Sequence, residues 1–411
     1  MPFTSTLGRV LAILPAVSAA VIDLPLHIQD SYISAQFQVG TPAKPFRFFI
    51  DTGSATSWVT SASCNSTSCP NLSSYTRVGY NVSASSTSVD LHTPARIEYT
   101  GGDALTGNVV QDVFHDEKGM LPDYWNQTFL EVNHSSWRFI TADGFGGFSF
   151  SSIAEPNTTT IMETLLWDGR LDDPRFSLFY GTSLANDGAQ DGILTLGGSH
   201  EDKYVDGEML YVPLRKETPY QLWRTRLLSI NVLVAGGANS TIVWNHGKAP
   251  TTTDPAGTEP AANKTVSFAA YNADYARVVF DTGAGRISLP EDAMLDVYSA
   301  LGWDYYALLQ GQQRWTCAAS NSSWALSLTI GDPDVESGVY TFTQRGDEVY
   351  IPGDQCQPPF DGSGVQGFGL IGAAFLRRFY SVYDFGADKV EDYKPRIGFG
   401  RLKKEYDYLH Q

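Results

Sequence analysis

The chain reads as an all-β protein of two similar lobes, and three features of its 411 residues carry that reading. The tripeptide Asp-Thr-Gly occurs twice, as Asp51-Thr52-Gly53 and Asp281-Thr282-Gly283, 230 residues apart. Each copy ends an apolar run, Phe48-Phe49-Ile50 or Val278-Val279-Phe280. About 90 to 100 residues later each is followed by an apolar glycine cluster, Asp143-Gly144-Phe145-Gly146-Gly147 or Leu370-Ile371-Gly372. One such triplet carries little information, whereas two with matching flanks mark an internal duplication. The third feature is period-two alternation, which outweighs helical periodicity along the chain.

Taken in order, residues 1–20 have the layout of a secretory signal: Arg9 as the sole charge, an apolar stretch from Val10 to Leu14, then small residues Ser18-Ala19-Ala20 suited to cleavage after Ala20. That stretch is too short to span a bilayer. Residues 32–39 alternate before a Gly40-Thr41-Pro42 turn, and 192–196 run into Gly197-Gly198. Residues 379–384 and 397–399 continue the strand pattern. Helices are expected over 159–167 and over 291–301, the second entered through Pro290 and stopped by Gly302. Residues 236–264, polar and rich in Pro, Thr and Ala, read as an exposed insertion loop. The lobes divide near residues 200–215, giving a first lobe of 21–205 and a second of 206–411.

Composition narrows the function. Lys and Arg total 28 against 45 for Asp and Glu, a formal net charge of −17. That balance argues against nucleic acid or an anionic membrane as partner, since phosphate binding needs clustered positive charge. Sequons at Asn65, Asn71, Asn81, Asn126, Asn133, Asn157, Asn239, Asn263 and Asn321 agree with export and glycosylation. Secretion and delivery to a vacuole start from the same signal, so both destinations stay open. The tail from Lys403 to Gln411 offers no hydrophobic segment for a membrane or lipid anchor. Four cysteines in an exported chain are expected to pair. Three connectivities are possible, the simplest being Cys64 with Cys69 and Cys317 with Cys356, one pair in each half. No histidine stands at ligand spacing beside a cysteine, and the seven histidines form no metal-binding pattern, so no metal is expected. Two formal Gly-x-Gly-x-x-Gly matches, at 362–367 and 367–372, follow no clear strand and leave too little chain for a βαβ unit. Gly-x-Ser-x-Gly is absent, so a serine hydrolase would lack its nucleophile elbow. A glycosidase also uses paired acids, but does not normally set them in twin Asp-Thr-Gly loops.

Together these residues resemble the pepsin family of aspartic endopeptidases, from about Tyr32 to Gly400. Ile50-Asp51-Thr52-Gly53-Ser54 with Trp58-Val59 looks like the family's first catalytic loop, and Cys64 to Cys69 has its first disulfide spacing. Ile97-Glu98-Tyr99, then Gly101-Gly102 and Thr106-Gly107, looks like the flap hairpin with one extra residue in its tip. Phe176-Ser177-Leu178, Gly197-Gly198 through Tyr211-Val212-Pro213-Leu214, Trp223 and Ile230 match the crossing between lobes.

The resemblance implies a bilobal β fold with a long cleft, catalytic Asp51 and Asp281, and Thr52, Gly53, Ser54, Thr282 and Gly283 in support. Tyr99, Trp58 and Phe145 would contact substrate, which would be protein or peptide, and a monomer without cofactor is expected. The chemistry needs such a pair. Two carboxylates sharing a site cannot both ionise cheaply, so one keeps a proton while its partner activates a water.

Departures from the family pattern are informative. Asp281-Thr282-Gly283 is followed by Ala284-Gly285, so the hydroxyl common after this triplet is missing, and Gly372 is followed by Ala373 where many relatives have aspartate. Losing the hydroxyl should raise the pKa of Asp281, and losing the negative charge should lower it. Renins, which act near neutral pH, carry alanine at both places, and an optimum less acidic than that of pepsin is expected on that resemblance. Cleavage after Ala20 would leave about thirty residues before Asp51, without room for the usual basic pro-segment. Together with Ala284 and Gly285, that keeps open an alternative, a non-catalytic pepsin-like binding or inhibitor protein.

Overall fold

Alternation in strand Ile22–Gln29 buries Ile22, Leu24, Leu26 and Ile28 and leaves the intervening side chains half-exposed, as a sheet with one covered face requires. The computed structural model describes residues 19–29, 32–116, 124–182, 189–235, 239–243, 252–253, 263–267, 276–349 and 356–407. The signal-like segment up to residue 18 lies outside them. Among the described residues the strands form two sheets, of thirteen and ten members.

The larger sheet carries the first Asp-Thr-Gly and the smaller carries the second. Strand Lys44–Asp51 lies parallel to Gly144–Gly147, with Asp51 opposite Gly147. Strand Arg277–Phe280 lies parallel to Phe368–Ile371 in the same way, with Phe280 opposite Ile371. The repeated glycine clusters are thus the strands that hold the two aspartate loops. A Cβ at Gly147 would stand 2.3 Å from the Ala55 backbone, and one at Gly372 would stand 2.2 Å from the Arg286 carbonyl oxygen. Neither position tolerates a side chain, which explains why the duplication keeps glycine there.

The halves are joined by a shared floor. Strands Phe379–Asp384 and Arg396–Arg401, late in the chain, enter the larger sheet by pairing with Arg175–Phe179 and Leu210–Pro213. Trp223 seals the seam. Its ring is fully buried against Phe150, Phe176, Tyr383 and Phe385, and its Nε1 donates to the Phe148 carbonyl oxygen at 2.8 Å. Burying an indole of about 200 Å² at about 25 cal/mol per Å² contributes about 5 kcal/mol of transfer free energy.

The expected helices form over Ile161–Trp167, where the Thr160 hydroxyl accepts from Glu163 N, and over Glu291–Ala300, which ends before Gly302 at φ +83°. Short helices over Glu201–Tyr204, Tyr305–Leu309 and Ala373–Leu376 carry too few turns to leave a periodic signal. The 236–264 segment requires a correction. It contains strand Asn239–Val243, which pairs with Arg224–Val234 and runs parallel to Asn263–Ser267. The β-branched run Thr241-Ile242-Val243 supplies strand propensity that the surrounding polar composition hid. The rest of that segment lies largely outside the described residues.

Candidate active site

Each aspartate stands where an apolar strand ends and its loop turns back across the seam. The two threonines tie the loops together reciprocally: Thr52 N donates to Thr282 Oγ1 at 3.1 Å and Thr282 N donates to Thr52 Oγ1 at 3.0 Å. Each hydroxyl then donates onward to the opposite strand, Thr52 Oγ1 to the Phe280 carbonyl at 2.7 Å and Thr282 Oγ1 to the Ile50 carbonyl at 2.5 Å. Both threonines are buried, so these four bonds are shielded from competing water.

The carboxyls meet at the centre. Gly53 N donates to Asp51 Oδ1 at 2.9 Å, and Gly283 N donates to Asp281 Oδ1 at 2.8 Å. A Cβ on Gly53 would lie 2.5 Å from Asp281 Cγ, and one on Gly283 would lie 2.5 Å from Asp51 Oδ1. Each glycine therefore makes room for the carboxyl of the opposite loop as well as binding its own. The two acids interact by hydrogen bond and by charge, and burial raises both above the ordinary carboxylate range.

Asp281 also feels its partner's charge: burial is again the first cause of its shift and the charge of Asp51 the second. Asp51 has a compensating donor, Ser54 Oγ, which donates to its Oδ2 at 2.5 Å. The position after Gly283 is Ala284, which has no hydroxyl to offer. Ala373 is buried and packs its N–H on the Ala284 carbonyl at 2.8 Å, so no carboxylate stands there either.

The other expected residues gather on the same side. Strands Val89–Glu98 and Ala104–Asp116 form a hairpin with Tyr99 at its tip, closed by bonds from Tyr99 N to the Asp103 carbonyl and from Gly102 N to the Tyr99 carbonyl. Trp58 Nε1 donates to the Tyr99 hydroxyl at 2.7 Å, and the Ser54 hydroxyl interacts with the same group. Phe145 stacks on Trp58 with centroids 5.0 Å apart and meets Tyr99 edge-on at 5.6 Å. A cavity of about 500 Å³ lies beside them, lined by Tyr32, Phe49, Trp137, Phe139 and Ile140 in addition to Phe145, and it reaches Gly283. Sequence reasoning missed those five residues. Phe49 was visible as the member of Phe48-Phe49-Ile50 facing away from its neighbours, but the loop bearing Trp137 has no periodicity to read.

Cys64 bonds to Cys69 and Cys317 to Cys356. The sequon side chains of Asn65, Asn71, Asn81, Asn126, Asn133 and Asn157 are exposed, and that of Asn321 is partly so. Those of Asn239 and Asn263 lie outside the described side chains. Among the described residues, no cluster of metal-ligating side chains occurs and no helix is long and apolar enough to cross a membrane.

A sequence model of eukaryotic aspartyl proteases matches residues 31–245 and 260–392, and so spans both aspartate loops. The chain belongs to that family. As an aspartyl protease it is an endopeptidase with two coupled aspartate loops, and it matches curated family members along most of its length. It is 26% identical to vacuolar protease A of Arthroderma otae over 372 residues, 88% of this chain and 78% of that one. It is 25% identical to gastricsin of Cavia porcellus over 375 residues, 90% and 82% of the two chains. It is 25% identical to a vacuolar aspartic protease of Candida albicans over 383 residues, 90% and 76%.

Proposed function

We propose that Asp51 and Asp281 are the catalytic pair of this endopeptidase, with Asp51 ionised and Asp281 protonated at rest. The observation that carries this reading is the seating of both carboxyls in one site, locked by the reciprocal threonine bonds. The asymmetry supports the proton placement: Ser54 stabilises charge on Asp51, and nothing equivalent does so at residue 284.

A water held by the pair gives a proton to Asp51 as its oxygen attacks the scissile carbonyl carbon, while Asp281 gives its proton to the carbonyl oxygen. The resulting tetrahedral gem-diol collapses when Asp51 passes its proton to the amide nitrogen. The C–N bond breaks, and one hydroxyl proton of the gem-diol returns to Asp281. Each carboxyl ends in the state in which it began. Thr52, Gly53, Thr282 and Gly283 fix the geometry, and Ser54 tunes Asp51. Tyr99 closes over substrate with Trp58 and Phe145 behind it, excluding water from the reacting bond.

The substrates are proteins or peptides. We read the chain as a glycoprotein entering the secretory route, destined for the exterior or a vacuole, with lobes dividing near residue 205. Pepstatin-sensitive cleavage of casein tests the activity. Asp51→Asn and Asp281→Asn should each lower kcat by at least about 10³-fold while circular dichroism is preserved. Substantial activity in either folded variant would remove that residue from the pair.

A further inference from the structure

The lining of the 500 Å³ cavity is rich in aromatic residues, but it also includes exposed residues where the cavity meets solvent. Arg138 and Phe139 stand there side by side. Phe139 is 70% exposed and Leu72 is 64% exposed, which places both among the most exposed large apolar residues described. Their chain segments are adjacent, because Leu72 N donates to the carbonyl oxygen of Arg138, the residue before Phe139, at 2.6 Å. Exposed apolar groups on adjacent segments beside a cavity are candidates for contact surface. Asp103, another lining residue, accepts from Ser136 Oγ at 2.7 Å. Arg138 is exposed and has no ion-pair partner among the described residues, on a chain whose net charge is −17. A lone cation beside an apolar shelf, continuous with the substrate cavity, has a definite chemical complement.

We propose that Arg138 and Phe139, flanked by Leu72, read the substrate outside the cavity. An acidic residue of the peptide pairs with the Arg138 guanidinium, and an adjacent apolar residue lies against Phe139 and Leu72. This specificity rests on the peptide-cleaving reading of the Asp51–Asp281 site and extends it to a sequence preference. Because the contact lies at the rim, its effect falls mainly on KM and is weakened by salt.

The test uses the full-length protein and internally quenched peptides that share one scissile bond, with Glu, Gln or Lys placed in turn at each of the four positions on either side. At one position Glu should be preferred over Lys by about tenfold in kcat/KM at pH 5.5, carried by KM and reduced in 0.5 M NaCl. Arg138→Glu should reverse the order at that position alone. Phe139→Ser should lower kcat/KM about tenfold for peptides with an apolar residue beside it. Arg138→Glu should lower cleavage of a short peptide that stops before that position by much less than it lowers cleavage of the longer Glu peptide. If Arg138→Glu moves the Glu-to-Lys ratio by less than twofold at every position, or if the short peptide suffers equally, the proposal is wrong. A wild-type protein that fails to cleave even the short peptide would instead overturn the catalytic reading on which it rests.

Discussion

The two aspartate loops repeat each other in the bonds of their threonines and glycines and part company at the side chain three residues on. Both aspartates accept from the glycine two residues later, both threonines bond across the seam, and both loops lean on a glycine at the end of, or just after, the parallel neighbour strand. At the next position one loop has Ser54, donating to its aspartate, and the other has Ala284. What is repeated sets geometry, and what differs sets protonation. A symmetric pair would leave the shared proton evenly distributed, whereas a single hydroxyl biases it toward the acid without one.

The largest effect should come from breaking the repeated part. Neither Gly53 nor Gly283 has a positive φ, so alanine there meets a steric obstacle and no backbone strain. Gly53→Ala would press on the Asp281 carboxyl and Gly283→Ala on that of Asp51, each at 2.5 Å. Separating the acids by even about 1 Å should cost at least about 10²-fold in kcat. Because the obstruction is reciprocal, the two variants should lose comparable activity while melting close to the parent. A loss confined to one of them would mean that the loops are not mechanically equivalent.

How the difference is distributed was only partly legible beforehand. The twin Asp51 and Asp281 triplets, their apolar strands and the glycine clusters were readable because a duplication states the same constraint twice. Ala284 and Ala373 were visible as departures with opposed effects on Asp281, and the structure adds that Ser54 donates to Asp51 where Ala284 has no hydroxyl to offer. Tyr32, Trp137 and Phe139 were not readable, because they converge on the cavity from a strand edge and an irregular loop. The strand Asn239–Val243 was hidden for another reason. Its pairing depends on an exposed edge of Arg224–Val234, which is a tertiary fact that local composition does not state.

The pH profile sharpens the comparison at the level of the single hydroxyl. In the mechanism we propose, activity needs Asp51 ionised and Asp281 protonated, so the acidic limb would follow the first and the basic limb the second. Ser54→Ala removes a donor from charged Asp51, raises its pKa and moves the acidic limb upward. Ala284→Ser supplies a donor to Asp281, lowers its pKa and moves the basic limb downward. Each shift should be about half to one pH unit in kcat/KM, from one hydrogen bond to a charged group. The parent, lacking the second hydroxyl, should keep activity to higher pH than its Ala284→Ser variant. A parent profile peaking below about pH 3 would contradict that asymmetry.

The smallest effect concerns stability and uses the same inequality. Burial raises the folded-state pKa of both carboxyls above their unfolded values, and only Asp51 has a side-chain hydroxyl, that of Ser54, to offset part of that cost. The folded chain therefore binds protons more tightly, and stability falls as pH rises from the ordinary carboxylate range through the raised values. Asparagine cannot ionise, so it escapes that loss. Asp281→Asn should melt about 2 °C above the parent at pH 7 and show little difference near pH 2.5, below the ordinary carboxylate range. Asp51→Asn should gain less, since Ser54 already offsets part of the burial cost at that side. Scanning calorimetry of the two variants at both pH values orders the acids by the strain each carries. Equal gains would place the burden evenly across the pair and leave Ser54 without influence on which acid holds the proton.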